Sequence, residues 1–359
     1  MLLSQQRITP RRSDFFKKGR SISIKQYVPK PYTYWVGSGR EALKQILSHC
    51  RVKNSNSELR VGIPAYTCHV VKDTIERAGC IPVFYDSGVV AEIDEVRRII
   101  PELDILLLCY NFGLLPDINQ FVRLCQQNNI ILVEDCAQAL GASYNGKLVG
   151  SFGDYAFYSF GISKNIGFAG GLIASNEKIN ISRLPSYPLK RKMELIIKTI
   201  VSQLFFAKHI YPVTRMILHS ELRKEQDPLS YDCSSLIKKI ILSQFERYDS
   251  IYQTRIKNGQ YCLSSIGEQN LLVRSNGIPS WLYLVLQTNN SRILKKSLEM
   301  KGIEVGRMLT FKAAKGHFPK AQKAEREVLT FALYRKRAEI ETLITALNKI
   351  KIGQLNHGS

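Results

Sequence analysis

The sequence predicts an α/β fold, a mostly parallel central sheet with helices on both faces, followed by a smaller C-terminal α+β domain. Three observations predict it. From Arg60 onward, short runs rich in Val, Ile and Leu recur at 61–63, 81–85, 105–109 and 130–133. The stretches between them are long enough for helices, which is the spacing of βαβ units and of a sheet covered on both faces. After Asn176 long helical stretches with few strands replace that rhythm, so a second, smaller unit is expected. The 359 residues allow two domains or one large one, and 45% hydrophobic with 23% charged residues is an ordinary globular composition.

Taken in order, residues 1–30 are basic and poorly periodic, and read as an arm outside the core. Gly37-Ser38-Gly39-Arg40-Glu41-Ala42-Leu43 is a small-residue turn running into a helical pattern. The four apolar runs follow, then two further candidate strands, 156–160 and 171–175, joined by a glycine-containing loop of the kind that lets a ligand approach backbone. Met193, Ile196, Ile197, Ile200, Leu204 and Tyr211 recur at helical spacing among Lys192, Lys198 and Lys208, and Pro212 is expected to end or kink that helix. Its apolar face suits a core, a dimer contact or an anionic lipid surface. A further helical segment runs from about 234 to 263, residues 281–286 read as a strand, and the tail at 325–351 ends in an amphipathic helix containing Ile340, Leu343, Ile344 and Leu347. The expected division is a large domain at 31–230, with a helical insertion at 190–225, and a small domain at 231–359.

Charge narrows the partners. Lys and Arg exceed Asp and Glu by 21, an excess that concentrates anions near the surface, whether lipid, nucleic acid or phosphorylated metabolite. No zinc-finger, basic-zipper or RNP-like signature accompanies it, so nucleic acid is not expected. The eight cysteines form no CxxC pair and several lie in apolar runs, as reduced buried thiols do. Six scattered histidines without an HExxH pattern give no reason to expect a metal site. The first thirty residues hold seven Lys or Arg by Lys25 and no apolar h-region, and no uncharged stretch is long and apolar enough to span a bilayer. A cytoplasmic protein, peripheral to a membrane at most, is expected.

Three features carry chemistry. Asp135 lies just beyond an apolar strand, at the carboxyl edge where open α/β sheets bind ligands. Ser159 and Lys164 place a hydroxyl and an amine five residues apart at a later strand end, ahead of Gly167, Gly170 and Gly171. The turn at Gly37–Gly39 opens a helix whose free amides attract phosphate. Each is weak alone, since a loop acid or a loop lysine is usually solvated. Together they are what pyridoxal phosphate requires: an amine for a Schiff base, an acid to keep the pyridine nitrogen protonated, and donors for the phosphate. The amides of Gly39, Arg40 and Glu41, with the Ser159 hydroxyl, would cup that phosphate.

The chain resembles the DegT-type sugar aminotransferases, a branch of the fold-type I pyridoxal phosphate enzymes. The match lies in Val133-Glu134-Asp135-Cys136-Ala137-Gln138-Ala139-Leu140-Gly141-Ala142, in Gly150-Ser151-Phe152-Gly153-Asp154, and in Ser159-Phe160 through Lys164-Asn165 to Gly170-Gly171. Pro64-Ala65-Tyr66-Thr67 and Ala78 to Phe84 extend it upstream; beyond 175 it is looser. The resemblance implies Lys164 as Schiff-base lysine and proton shuttle, Asp135 as partner of the pyridine nitrogen, Gln138 beside the ring hydroxyl, and Ser159 with the amides near Arg40 and Glu41 on the phosphate. It implies a homodimer that moves an amino group, by family habit from glutamate, to a nucleotide-linked keto sugar, as in polysaccharide biosynthesis. A lysine at 164 separates the chain from the family's dehydratase branch, where a histidine stands.

The departures bound the analogy. Arg40 stands where the family commonly carries Thr, and Cys68 where it usually stacks an aromatic ring on the cofactor, which leaves Tyr66 or His69 as substitutes. The family's glutamate in the glycine loop is replaced near Phe168-Ala169, and no asparagine is found around 231–234. Two alternatives therefore stand beside amino transfer: a pyridoxal phosphate-dependent sugar isomerase or lyase, and a non-catalytic basic descendant that binds membrane or polyanion.

Overall fold

The computed structural model describes residues 3, 10–15, 24–54, 58–205, 213, 230–266, 271–307 and 310–350. Its centre is a seven-stranded sheet built from β1 (Tyr32–Val36), β2 (Arg60–Pro64), β4 (Ile81–Tyr85), β5 (Ile105–Cys109), β6 (Ile131–Asp135), β9 (Tyr155–Ser159) and β10 (Gly171–Ser175). The order across it is β1-β10-β9-β6-β5-β2-β4. The strands from β9 to β4 pair in parallel, whereas β10 is antiparallel to both β9 and β1.

The sheet separates two cores. On β5, Ile105, Leu107 and Cys109 face one side with α1 (Gly39–Asn54) and α2 (His69–Arg77), while Leu106 and Leu108 face the other with α4 (Ile118–Gln127). This alternation is the pleat, and it makes all five residues of β5 buried. A wholly buried Leu or Ile contributes roughly 1.5–3 kcal/mol, so the central strands anchor the sheet. β3 (Tyr66–Cys68) leaves the sheet to pair with β12 (Phe311–Ala313).

The C-terminal unit holds β11 (Tyr283–Gln287) paired with β13 (Val328–Ala332) and has its own core, to which α8 (Ser291–Met300) contributes Leu294 and Leu298 and α10 (Arg337–Lys349) Ile340, Leu343, Ile344 and Leu347. The tail helix is thus where its apolar spacing put it. A fourth cluster, with Tyr66, Phe112, Leu282, Tyr283 and Phe311, joins the two units.

Two expectations change. The helix expected over 234–263 is two, α6 (Ser235–Phe245) and α7 (Tyr248–Ser265). Between them Arg247 leaves helical geometry at φ −120° and ψ 9°, and its Nη2 donates to buried Asp14 at 2.5 Å. Ile237, Ile240 and Phe245 of α6 join the sheet's core, and α7 spans both units, with Ile251 in one core and Cys262 in the other. Parts of the expected arm contribute to the core, while Arg11, Ser13, Lys25 and Gln26 are exposed. Leu3, Asp14, Tyr27 and Val28 are buried. Lys30 is buried too, and its Nζ donates to Gly153 O at 2.6 Å and Asn176 Oδ1 at 3.1 Å. The helix at 193–211 is described as α5 (Leu189–Phe205); Tyr211 and Pro212 lie outside the described residues.

Candidate active site

Consecutive side chains of a strand point to opposite faces, so Glu134 and Asp135 at the end of β6 part company. Glu134 is fully buried. Its carboxylate accepts from the amides of Gly150 (2.7 Å), Phe152 (2.8 Å) and Gly153 (2.8 Å) and from the Tyr110 hydroxyl (2.7 Å). The acid of one motif thus folds the loop of the other. Burial pushes its pKa up, and these donors, with the charge of Lys30, pull it back.

Asp135 keeps part of its surface accessible, yet its surroundings are dense enough that burial is the first cause of a raised pKa. The strongest opposing influence is the positive charge of Lys164, followed by the Ala137 amide, which donates to Oδ1 at 2.9 Å, and by the Cys109 thiol. An acid held in this state gains from a further cation beside it. The two groups on which the sequence reading hinges therefore share one electrostatic neighbourhood.

Gln138 is buried, with Oε1 accepting from the Phe112 amide at 2.7 Å. That amide is presented by Phe112 in the left-handed region, at φ 59°. The Nε2 of Gln138 is buried and finds no hydrogen-bond partner among the described residues. A buried amide nitrogen left without an acceptor costs about 1–3 kcal/mol, and a ligand oxygen would remove that cost.

Lys164 rides on the loop between β9 and β10. The loop closes on itself: Phe160 N donates to Gly170 O at 3.0 Å, Phe168 N to Phe160 O at 2.6 Å, and Lys164 N to Gly161 O at 2.9 Å. Buried Ile166 and Phe168 pin it to the sheet's core. At Gly161 a Cβ would lie 3.8 Å from Lys164 Cγ and 3.9 Å from Ser159 Oγ, so hydroxyl and amine stem flank one small-residue gap.

The phosphate-type turn meets the same strand end. α1 begins at Gly39, where a Cβ would fall 2.7 Å from Ser159 Cβ and 3.0 Å from its Oγ. Only glycine lets the helix start touch Ser159 without a shift. Ser38 caps the helix, its Oγ accepting from Glu41 N at 3.1 Å and its carbonyl from Ala42 N at 3.0 Å. Of the three amides expected to cup a phosphate, that of Glu41 is thus already engaged, and its buried carboxylate accepts from Gln45 Nε2 at 2.7 Å. Gly39, Arg40 and Ser159 stay at the helix entrance, and the charge of Arg40 is felt by the Tyr187 hydroxyl.

The two expected substitutes for the stacking ring have different surroundings. Tyr66 is buried in a cluster with Phe112 and Phe311, and His69 is exposed with Nδ1 3.0 Å from Thr310 O. Cys68 and Thr67 act on the Cys109 thiol, which itself interacts with Asp135. Sequence reasoning also missed Tyr110, Asn165, Arg255 and Tyr283. Arg255 had a signal, a cation on the apolar stripe Tyr248, Ile251 and Cys262 of a helix.

Residues 16–187 match the model of the DegT/DnrJ/EryC1/StrS aminotransferase family. The chain is similar to the GDP-perosamine synthase of Vibrio cholerae, 31% identical over 153 residues that cover 41% of each protein. It is also similar to the dTDP-3-amino-3,6-dideoxy-alpha-D-galactopyranose transaminase of Aneurinibacillus thermoaerophilus, 30% identical over 50% of this chain and 51% of that one. The matched stretches thus span about half or less of those relatives. Among solved structures, the Escherichia coli GDP-4-keto-6-deoxy-D-mannose-3-dehydratase with bound hydrated PLP superposes with a TM-score of 0.71 over 97% of this chain and 100% of that one, at 16% identity. That likeness is one of fold, and the fold is fold-type I.

Proposed function

On the match of residues 16–187 to the model of the DegT/DnrJ/EryC1/StrS aminotransferase family, we propose that the chain is a pyridoxal phosphate-dependent aminotransferase acting on a nucleotide-linked keto sugar. The observation that carries this reading is that the charge of Lys164 acts on Asp135 at the end of β6, and the buried Nε2 of Gln138, three residues further along, has no hydrogen-bond partner among the described residues. The residues fit the cofactor. Asp135 would hold the proton of its ring nitrogen, Gln138 Nε2 would donate to the ring oxygen, and Ser159 with the amides at Gly39 and Arg40 would bind the phosphate.

When bound, pyridoxal phosphate supplies an aldehyde that condenses with amines and a ring that draws electrons from the reacting carbon. The chain's own part is placement and proton transfer. Lys164 Nζ would carry the proton at the reacting carbon in both halves of the transfer, a task its position on a closed, core-anchored loop suits. The side chain of Asp135, ionised beside a cation, would keep the ring in its electron-withdrawing form.

Amino donor and acceptor follow from the family: glutamate, and a nucleotide-linked keto sugar whose diphosphate suits a chain of net charge +21. Similar proteins named for GDP- and dTDP-linked sugars support that class. The test adds glutamate to the protein with its cofactor, then a panel of nucleotide-linked keto sugars. Conversion of the bound cofactor to its amine form, reversed by one sugar, is expected; a spectrum that glutamate leaves unchanged favours the isomerase or lyase chemistry instead.

Two finer readings belong with this one. A homodimer rests on the family resemblance, and light scattering at twice the chain mass tests it. The second concerns α5, whose Leu189, Met193, Ile197 and Val201 form an exposed apolar row at spacing of four, while Leu195 and Ile196 pack on the sheet's core. Exposed Lys190, Arg191 and Lys198 lie beside that row, and the whole chain is strongly basic. An anionic lipid surface matches both the row and the charge. Among the described residues no helix is long and apolar enough to cross a membrane.

A further inference from the structure

Arg255 is 1% exposed, and among the largest fully buried side chains. Burial drives its pKa down, and tyrosines rather than a carboxylate lead the groups that act on it. Its Nη2 donates to the backbone carbonyl of Asn165 at 3.2 Å. The Tyr248 hydroxyl interacts with both the guanidinium and the buried Asn165 side chain, while Nε and Nη1 of Arg255 make no close hydrogen bond among the described residues. A cation set so deep carries a desolvation cost that a core of plain packing would avoid.

What it faces explains the placement. Asn165 follows Lys164, and the carbonyl of Ser163, which precedes Lys164, accepts from the Tyr283 hydroxyl at 3.2 Å. Tyr283 feels the charge of Arg255, so the two side chains are neighbours. They come from α7 and β11, at the junction with the C-terminal unit, and α7 is tied to that unit by Asn258 Nδ2, which donates to Leu333 O (2.8 Å) and Arg335 O (3.0 Å). The carbonyls of the two residues that flank Lys164 are thus held by side chains from far along the sequence.

We propose that Arg255 and Tyr283 are positioning residues for Lys164: they clamp the Ser163 and Asn165 carbonyls on either side of it and so make the placement of its amine depend on docking of the C-terminal unit. The catalytic consequence rests on the aminotransferase reading, while the clamp itself does not. An amine that must deliver a proton to a fixed carbon loses rate when its backbone wanders by a fraction of an ångström. Tyr283 and Arg255 supply the fixation through donors on two sides.

The test uses Tyr283→Phe, which removes one hydroxyl and no volume of note, and Arg255→Gln. Hydrogen–deuterium exchange of the cofactor-free full chain should show the amides at 160–170 exchanging about tenfold faster in each variant, the size expected for one lost buried hydrogen bond, with β11 and the rest of α7 unchanged. In the holoenzyme kcat should fall by about tenfold, with KM for both substrates within about twofold, since binding groups are untouched. Wild-type exchange in the loop of Tyr283→Phe overturns the proposal, and so does exchange that rises throughout the C-terminal unit. Should Arg255→Gln fail to fold, Tyr283→Phe alone decides. Loosening of the loop in a protein that never loads cofactor on Lys164 upholds the clamp and refutes the aminotransferase reading instead.

Discussion

At the scale of single residues, the site is an exercise in placing charge where the fold dislikes it. Asp135 is raised by burial and is relieved by Lys164. A carboxylate whose folded pKa lies above its unfolded one lowers stability as pH rises through that window, because the folded state holds its proton longer. In cofactor-free protein, Asp135→Asn should therefore melt no lower than wild type at pH 7, and its advantage should vanish below the ordinary carboxylate range. The same variant should fail to retain pyridoxal phosphate, read as loss of visible absorbance after gel filtration. A variant that melts lower yet keeps the cofactor would contradict both statements. Gln138 shows the same logic with a neutral group, since its Nε2 is buried without an acceptor while its Oε1 is satisfied by Phe112.

At the scale of elements, the motifs around 133–142 and 150–154 are one structure, because Glu134 at the end of β6 gathers the amides of Gly150, Phe152 and Gly153. Glu134→Ala would strand three buried donors and the Tyr110 hydroxyl. A loss on the order of 3 kcal/mol or more is expected, seen as a lower denaturant midpoint with unchanged slope. A loss under 1 kcal/mol would mean water replaces the carboxylate. Which elements were legible follows from where their pattern is decided. β5 shows itself as Ile105 to Cys109, five buried residues in a row, and the parallel strands share that signal. β1 did not, since Tyr32 to Trp35 are half-buried at the sheet edge and mix polar with aromatic side chains. The break between α6 and α7 was equally hidden: the apolar spacing runs on, and the interruption is made by Arg247 meeting Asp14, far away in sequence. Asp135 and Ser159 end the adjacent strands β6 and β9, and Lys164 lies on the loop that follows, positions the apolar runs before them announce. The Glu41 amide donates to the hydroxyl of Ser38, a cap visible in the sequence.

At the scale of the molecule, two cores meet at α7 and at the Tyr66, Phe112 and Phe311 cluster, so the loop of Lys164 is bounded by both units. The basic surface and the α5 row add an outward face. With vesicles containing anionic lipid, the intact chain should float at low salt, and Met193→Asp with Ile197→Asp should reduce flotation several-fold; equal flotation by both, or a change in chain association instead, would assign that row to another copy of the chain. The central claim is that the acid at 135 and the amine at 164 hold opposite ends of one cofactor ring. Borohydride reduction of the protein with its pyridoxal phosphate, followed by peptide mapping, tests it most directly. The account predicts a cofactor mass on the peptide bearing Lys164 in wild type and none there in Asp135→Asn; a label on another lysine, or none in wild type, would contradict it.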